Sequence, residues 1–291
     1  MNLQKLKKEL RKQGLGAQKS KQRIKKRILL LSLGAVLIVA LFFGYQHYQQ
    51  TVPGRLFTKG LTLESKDHPA QALASYERLF RGYPETPKAA EALYRAARIS
   101  RLDLRQDKQA LYLFLKLEHD YPESAFVFRA QQEAAEVTKY QFRDFAQAIV
   151  IYQRLLDQKT EDGDRILYEI ADCYFRLDNF SQARIELDAL LERYPESSLR
   201  AEVFYRYANA LLLDGMVKEA RAGFDQLIES FPNSSYAAEA AFSLAELLET
   251  EERLKDALKA YRALKDYPQQ ELLEAKIDRL EQRIAKKKKV L

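Results

Sequence analysis

The sequence predicts an all-α fold: an α-solenoid of about six stacked helix pairs with a C-terminal capping helix, preceded by one transmembrane helix. Three observations predict it. An apolar run covers residues 28–45, a small residue recurs at helical spacing, and a turn of one aromatic residue followed by proline recurs along the chain. The turn prolines stand at positions 84, 122, 195, 232 and 268, which are 38, 73, 37 and 36 residues apart. The step of 73 contains two periods, with a degenerate copy of the turn at Lys159 and Thr160.

The repeated turn has a physical reason to end one helix and begin the next. Proline lacks an amide hydrogen and clashes with the preceding turn, so a helix that reaches it stops. A short polar side chain after the proline can cap the free amides of the following helix. We predict that role for Ser124, Ser197 and Asn233.

A small residue precedes each turn by twelve positions, or by eleven before the last, and a bulky apolar residue follows it four positions later. This spacing places both on one face of a helix, where the small residue allows close approach and the large one fills the neighbouring gap. The repetition predicts the second helix of each pair. The small residues are Ala72, Ala110, Ala148, Ala183, Ala220 and Ala257, and the bulky ones are Tyr76, Phe114, Tyr152, Leu187, Phe224 and Tyr261.

Composition supports helices and argues against a nucleic-acid module. Hydrophobic residues make up 47% of the chain, with only 10 Gly and 8 Pro, and long alternating runs of Val, Ile and Thr are missing. The net charge of +7 is concentrated in the tails, because residues 1–27 carry eleven Lys or Arg against one acid and residues 286–289 are four lysines. The remaining body is net acidic, whereas a nucleic-acid module carries its basic charge on the folded domain.

The run over residues 28–45 contains no charged side chain, and we predict a transmembrane helix there. Its eighteen residues give about 27 Å at the helical rise, which spans a hydrocarbon core. A cleaved signal peptide is the alternative. The long basic segment ahead of the run, the length of the run and the lack of a small-residue cleavage site near Phe43 favour an uncleaved anchor. By the positive-inside rule the N-terminus stays in the cytoplasm and the rest of the chain is exported.

These features divide the chain into a basic cytoplasmic tail (1–27), a transmembrane signal anchor (28–45), a linker (46–53), a solenoid (54–268) and a capping helix with a basic tail (269–291). The capping helix, over about 269–286, carries an apolar stripe and a charged opposite face, as the end of a solenoid requires. The stripe is Leu273, Ile277, Leu280 and Ile284, and the predicted helix pairs are 54–65/69–82, 86–102/107–120, 124–141/144–158, 163–177/180–193, 197–213/216–230 and 234–250/253–266.

Residues 170–183 resemble the tetratricopeptide repeat (TPR), which has a small residue in its first helix, an aromatic three later and an alanine twelve after the small one. Ala171, Tyr174 and Ala183 meet these requirements. Two further copies contain Ala208 with Ala220 and Ala245 with Ala257, and the earlier copies are looser: Ala97 and Ala135 need one extra residue before Ala110 and Ala148.

The resemblance covers about residues 54–268. The Tyr-Pro-Glu-Ser form of the turn is similar to that of bacterial envelope TPR proteins. These include the periplasmic TPR protein associated with the Tol-Pal system, the TPR lipoprotein of the outer-membrane assembly machinery and the ancillary TPR subunit of the Sec translocon. This chain departs from the lipoprotein because its single cysteine is Cys173, so it has no lipobox cysteine. The resemblance implies localisation in the bacterial inner membrane as a single-pass protein with a periplasmic TPR domain.

The sequence contains no pattern that indicates an enzyme, a cofactor site or a metal site. Phosphate-binding, zinc-protease and serine-hydrolase motifs are missing. The three histidines, His47, His68 and His119, are far apart and predicted to be solvated. Cys173 stands on a helix face predicted to pack, so we expect a buried small hydrophobe rather than a nucleophile.

The TPR resemblance implies a concave face lined by the first helix of each pair. Aromatic residues ringed by charge suit an extended or helical peptide, although these rings could equally pack against the adjacent helix. TPR domains that clamp a C-terminal carboxylate resemble one another in a lysine and an asparagine of which only Asn209 is present here. The candidate partner-binding residues are Tyr94, Arg98, Gln132, Tyr168, Asp172, Tyr205, Asn209, Phe242 and Glu246.

These features predict a non-enzymatic, membrane-anchored periplasmic scaffold that mediates protein–protein interactions in cell-envelope assembly or maintenance, with protein or peptide partners and no nucleic acid. Two alternatives stay open: a translocon-associated chaperone that holds exported chains, and an accessory subunit of an envelope enzyme complex. The oligomeric state and the partner are not determined by the sequence.

Overall fold

Every regular element in the described part of the chain is a helix, as predicted. The structure is a computed structural model that describes residues 33, 36–45, 48, 51–158, 162–264 and 267–290. Residues 36–45 are helical, and helix α1 covers residues 51–65. The later helices are α2 (Pro69–Gly82), α3 (Ala89–Leu102), α4 (Asp107–Asp120), α5 (Val127–Glu136), α6 (Phe145–Leu156), α7 (Gly163–Arg176), α8 (Phe180–Arg193), α9 (Arg200–Leu213), α10 (Val217–Ser230), α11 (Ser235–Thr250), α12 (Leu254–Ala263) and α13 (Gln270–Val290).

The chain divides into two compact units, Met1–Arg105 and Gln106–Leu291. In the first unit, α2 packs against α3 as well as against α1, where the Tyr76 hydroxyl donates to Glu64 at 2.8 Å. In the second unit, successive helices from α4 to α13 pack against one another. Each unit therefore has the antiparallel helix pairs of a TPR-like solenoid.

The aromatic–proline turn ends helices in the predicted way. At the turns with prolines 84, 122, 195 and 232 the aromatic is the residue after a helix, and its amide donates to the leucine carbonyl four residues earlier; for Tyr194 this is Leu190, at 2.9 Å. At the last turn the Tyr267 amide donates instead to Leu264, three residues earlier, at 3.4 Å. The Ser197 amide then donates to the Tyr194 carbonyl at 3.0 Å, which adds one further turn before the next helix. For this reason α3, α5 and α9 begin three residues later than predicted.

The capping predictions differ in detail from the structure. The hydroxyl oxygen of Ser197 accepts from the Leu199 amide at 3.1 Å, within the turn that precedes α9. Ser124 makes the equivalent contact before α5. The cap predicted for Asn233 is wrong, because Ser234 caps α11 by accepting from an amide three residues later at 3.3 Å.

A second repeated turn, between the two helices of each pair, has a residue with positive φ. These residues are 38, 38, 35, 37 and 37 positions apart, which is the period of the proline turns. The left-handed conformation is easy only for glycine, and only one of them is glycine. They are Asp67, Arg105, Arg143, Asp178, Gly215 and Glu252, with φ between 53° and 79°.

The predicted close approach at the small residues is confirmed. Ala72, Ala110, Ala148, Ala183, Ala220 and Ala257 are all fully buried, and the bulky residues four positions later are at most 4% exposed. A side-chain carbon added at Gly223 of α10 would lie 3.2 Å from Cβ of Ala208 on α9. The helices of a pair thus cross with almost no room at this position.

Helix α5 does not run on as a regular helix to the predicted end at residue 141. A π-helical turn, Val137–Gln141, follows it, and the Phe142 amide donates to the carbonyl of Val137 at 3.2 Å. A π-helical turn accommodates one residue more than an α-helical turn. It therefore absorbs the extra residue that separates Ala135 from Ala148.

The capping helix α13 packs its predicted apolar stripe onto the last pair. Leu273 and Leu280 are buried in one cluster with Tyr261 and Tyr267, and Ile277 and Ile284 pack against it partly buried. The helix ends at residue 290 rather than near 286.

The predicted cytoplasmic tail, residues 1–27, lies outside the described residues, as do part of the predicted anchor and residues 159–161, which include the degenerate turn. Of the segment 28–45, only residues 33 and 36–45 are described, and they are helical and exposed. Within the described ranges no helix is both long and apolar enough to cross a membrane. Residues 51–53, which we assigned to the linker, already belong to α1.

The tight crossing of α9 and α10 predicts the effect of enlarging Ala208. Ala208→Leu should lower the free energy of unfolding by about 1–3 kcal/mol, because the added atoms meet the α10 backbone at Gly223. Thermal unfolding followed by circular dichroism measures it. Ala222→Leu, at an exposed position of α10, is the matched control and should change stability by less than about 0.5 kcal/mol. Equal melting temperatures for the two variants would contradict this crossing.

Candidate functional site: a groove lined by α9, α11 and α13

The second unit contains a groove of about 800 Å³ lined by residues of α9, α11 and α13. It brings together three of the predicted partner-binding residues, Tyr205, Asn209 and Glu246. All three are partly exposed. They line it together because Tyr205 and Asn209 lie one turn apart on α9 and α11 packs beside that helix.

The acidic residues of the groove are paired with the basic face of α13. Lys276 Nζ lies 2.9 Å from a carboxylate oxygen of Glu246, and Arg283 contacts Glu249 at 2.6 Å and Glu252 at 2.9 Å. These pairs close one end of the groove with charges that already have partners. The remaining polar groups nearby are mostly neutral hydrogen-bonding side chains.

Tyr205 and Asn209 present different chemistry on the α9 side. The Tyr205 ring packs between the rings of Phe224 and Tyr236, with centroids 6.0 Å and 5.8 Å away, and keeps part of its surface exposed. The Asn209 side-chain amide donates to the Tyr205 carbonyl at 2.8 Å, which directs the amide nitrogen back to its own helix. The carboxamide oxygen can then accept a hydrogen bond from a ligand.

Tyr168 lies on α7, and its hydroxyl is used within the protein. It donates to Glu202 of α9, and burial together with this bond raises the pKa of Tyr168 above its ordinary value. The Tyr236 hydroxyl of α11 also forms a hydrogen bond with Glu202. Burial and, to a smaller extent, this hydrogen bond raise the pKa of Tyr236 to about 12. Glu202 thus ties α7, α9 and α11 together along their shared face.

A buried ion cluster that the sequence did not predict lies beside Tyr168. The π-helical turn directs Lys139 inward, where its side chain is 2% exposed and contacts Glu169 at 2.5 Å and Asp172 at 2.7 Å. Burial lowers the pKa of Lys139, but the bonds to Asp172 and Glu169 outweigh burial and raise it. The extra residue after Ala135 was not by itself a signal of this turn, because Ala97 has the same extra residue and α3 ends without a π-helical turn.

Asp172, a predicted partner-binding residue, belongs to this cluster. Its side chain is 8% exposed, and within the described part of the chain its Oδ1 atom accepts no hydrogen bond. Arg206 Nη1 lies 3.4 Å from that oxygen, and the Arg206 guanidinium covers the rings of Tyr168 and Phe175. The geometry therefore gives Asp172 an internal role in charge pairing, and little of its surface can meet a ligand.

The structure disperses the other predicted partner-binding residues. Phe242 is 6% exposed and stacks on Tyr267 with centroids 4.7 Å apart, so it lies in the core. Gln132 lines a separate pocket of about 270 Å³ between α5 and α7. Tyr94, which is 8% exposed, and Arg98, which is exposed, belong to the first unit. Their role in partner binding stays a prediction.

The basic residues of α13 that close the groove were also missed. Lys276 and Arg283 are seven positions apart, which is two helical turns, and this spacing on a predicted helix was the signal that they share a face. Without knowing that α11 ends in acids beside that face, the sequence could not assign their partners.

The histidines and the cysteine show no catalytic arrangement in the described residues. His68 and His119 are exposed, and His47 lies outside the described ranges. Cys173 is fully buried, and burial raises the pKa of its thiol to about 12, which disfavours the reactive thiolate. Over the ranges the structure describes, no three His, Cys, Asp or Glu side chains are grouped to hold a metal ion.

Three sequence profiles described as tetratricopeptide repeat match the chain, at residues 57–125, 140–202 and 202–234. Together they cover more than half of it. No curated protein matches the sequence.

Solved structures with helical repeats are similar to the chain. A tetratricopeptide repeat protein from Parabacteroides merdae aligns with a TM-score of 0.51 at 15% identity, over 79% of this chain and 99% of that one. MamA from Desulfovibrio magneticus aligns with a TM-score of 0.46 at 14% identity, over 62% and 94% of the two chains. YrrB, a TPR protein with an unusual peptide-binding site, aligns with a TM-score of 0.49 at 18% identity, over 67% and 96%. At such identities the first likeness shows the fold alone.

The buried ion cluster predicts a large effect of removing its cation. Lys139→Met should lower the free energy of unfolding by about 3 kcal/mol, because Glu169 and Asp172 would keep their burial and lose their nearest cation. Urea denaturation measures the change. Lys108→Met, at an exposed position of α4, is the matched control. A loss no greater than that of the control would contradict a role for the cluster in stability.

The same cluster predicts a pH dependence. The pKa of Lys139 is raised above its ordinary value of 10.5, so its stabilising contribution is complete below that pH and is lost as the pH rises through the folded-state pKa. The stability difference between wild type and Lys139→Met should therefore hold constant from neutral pH until about 10.5 and shrink above it. A difference that shrinks already in mildly alkaline buffer would contradict the raised pKa.

Proposed function

Since the chain belongs to the tetratricopeptide repeat family, we propose that it is a membrane-anchored scaffold that holds partner proteins on the periplasmic side of the bacterial inner membrane. A TPR fold is typically a non-catalytic scaffold for protein–protein interaction. Its helix pairs stack into a rigid support, so the surface they present needs no rearrangement to receive a partner.

The observation that carries the proposal is the groove along α9, α11 and α13. It is open to solvent and lined by the partly exposed Tyr205 ring, the Asn209 amide and the ion pair of Glu246. An aromatic surface flanked by hydrogen-bonding groups suits a peptide segment of a partner better than a small metabolite. We propose that a segment of the partner lies in this groove.

The apolar run at residues 28–45 supports the membrane anchor, and the eleven basic residues ahead of it support the export of the solenoid. Tethering confines the solenoid to a layer next to the membrane. A partner bound there is held at a raised local concentration, which favours assembly without any catalytic step.

Site-specific photo-crosslinking in cells tests this function. A crosslinking residue at Leu212, which lines the groove, should capture one or two defined envelope proteins with the full chain. The matched control is Ile185 on α8, which is 57% exposed and lies outside the groove. Equal capture from both positions would contradict the groove, and capture of many unrelated exported chains from Leu212 would favour the chaperone alternative.

A substitution in the groove predicts weaker binding without loss of fold. Asn209→Leu should weaken capture of the partner about tenfold, because a hydrogen bond to the carboxamide is lost and a polar group of the partner is left unpaired. Helicity and melting temperature should be unchanged. Gln226→Leu, at an exposed position of α10, controls for the change of side chain. Unchanged capture by Asn209→Leu would exclude Asn209 from the contact.

A further inference from the structure

Helix α1 presents a face whose charges are all positive. Arg55, Lys59 and Lys66 are exposed, and among the described residues none of them has an ion-pair partner. Their spacing of four and seven residues places them along one side of the helix and its C-terminal turn. Thr58 and Thr62 separate them, and each threonine hydroxyl donates to a carbonyl of its own helix, at 3.0 Å and 2.9 Å. We call this surface the basic face of α1.

The repeat register shows which side of the helix this is. Gly60 stands twelve residues before Ala72, in the small position held by Ala171 on α7, and a side-chain carbon there would lie 2.4 Å from the Tyr76 ring. Arg55 and Lys59 therefore correspond to Ile166 and Ile170 of α7.

Ile166 and Ile170 are 3% and 1% exposed in the second unit. Val203 of α9, which holds the same repeat position as Ile166 and Arg55, is fully buried. In these inner repeats, neighbouring helices therefore bury this side of the first helix, whereas on α1 the same side is exposed to solvent. Arg55 and Lys59 therefore lie on a side that inner repeats bury and that the first repeat leaves exposed.

An end helix needs a polar face for solubility, but that need does not select one sign of charge. The other end helix, α13, shows how the need for a polar face is met without a single sign of charge. Its exposed side chains carry both signs of charge, with Asp278, Arg279 and Glu281 in close succession. A face with three cations and no acid instead indicates an anionic surface as its partner.

The position of the basic face in the chain indicates which anionic surface is its partner. Residue 45 ends the predicted anchor, and Arg55 follows ten residues later, so the chain between them reaches about 35 Å when fully extended and about 15 Å when helical. The link therefore keeps Arg55 within about 35 Å of the bilayer and allows the face to come within the Debye length of about 8–10 Å, over which lysine and arginine are attracted to anionic lipid headgroups. An anionic partner in solution has no comparable proximity.

We propose that the basic face of α1 binds the anionic headgroups of the membrane that holds the anchor, and so seats the first unit on the bilayer surface. This inference rests on the proposed membrane anchor. Its consequence is that the first helix pairs are held at the membrane instead of moving freely on a linker.

Full-length protein in nanodiscs tests the seating. A fluorescent probe on Thr62→Cys reports the face, and Cys173 does not compete for the label because it is fully buried. In discs containing about a third phosphatidylglycerol, lipids with a headgroup quencher should reduce the fluorescence at least about twofold more than in pure phosphatidylcholine discs, and high salt should abolish the difference.

The triple change Arg55→Gln, Lys59→Gln, Lys66→Gln should abolish the dependence on phosphatidylglycerol. The matched control removes three exposed cations of α10 and α12 and should retain it; these are Lys218→Gln, Lys255→Gln and Lys259→Gln. Equal quenching in both kinds of disc, or an unchanged signal in the first triple variant, would overturn the proposal.

Failure of the anchor is distinguished by a separate measurement. If alkaline carbonate extracts the wild-type chain from membranes, the proposed anchor is wrong, and the face is then tested by sedimentation with phosphatidylglycerol vesicles. Salt-sensitive binding that the first triple variant loses would still support the face. Absence of binding by wild type would overturn it.

Discussion

The close crossing of two helices at a small residue is the contact on which the rest of the structure depends. Alanine or glycine at this position lets the neighbouring helix pack closely, and a large side chain of that helix fills the adjacent space, as the Tyr76 ring of α2 does beside Gly60 of α1. Because interiors are packed this densely, each crossing sets the angle and the axial position of the following pair. Two sides of the groove are α9 and α11, the first helices of successive pairs, so their relative position follows from that repeated geometry.

Polar side chains fix the position of one first helix against the next. Glu202 accepts hydrogen bonds from tyrosine hydroxyl groups of α7 and α11. Lys139, in the turn after α5, forms ion pairs with two carboxylates of α7. Buried charges are costly to desolvate and are tolerated where partners satisfy them. Three aromatic residues that were expected to face a ligand therefore have three different roles. Tyr168 serves the internal network, Phe242 serves the core, and Tyr205 keeps an exposed edge in the groove.

The two end helices solve the same problem in different ways. In the described part of the chain, each has a side on which no further helix pair packs. On both helices that side carries charged residues. On α13 the inward charges pair with the acids at the end of α11, which shapes the groove, and the outward charges are mixed in sign. On α1 the uncovered side is basic only. The proposed partner groove is therefore distant in sequence from the proposed anchor, and the proposed membrane contact is close to it.

The sequence by itself determined what depends on neighbours within a few residues: the period, the aromatic–proline turns, the small residues at the crossings and the apolar stripe of the capping helix. Proline geometry and helical spacing are local, so they could be predicted from residues such as Tyr194 and Ala183. Only the tertiary structure decided which polar groups meet, because Lys139 and Glu169 are 30 residues apart and come together through a π-helical turn that no local propensity favours. It also decided that Phe242 is buried while Tyr205 is not, although both occupy the same position of the repeat. The neighbours of that position come from different pairs: Tyr267 stacks on the Phe242 ring, whereas Tyr205 packs between Phe224 and Tyr236 and stays partly exposed.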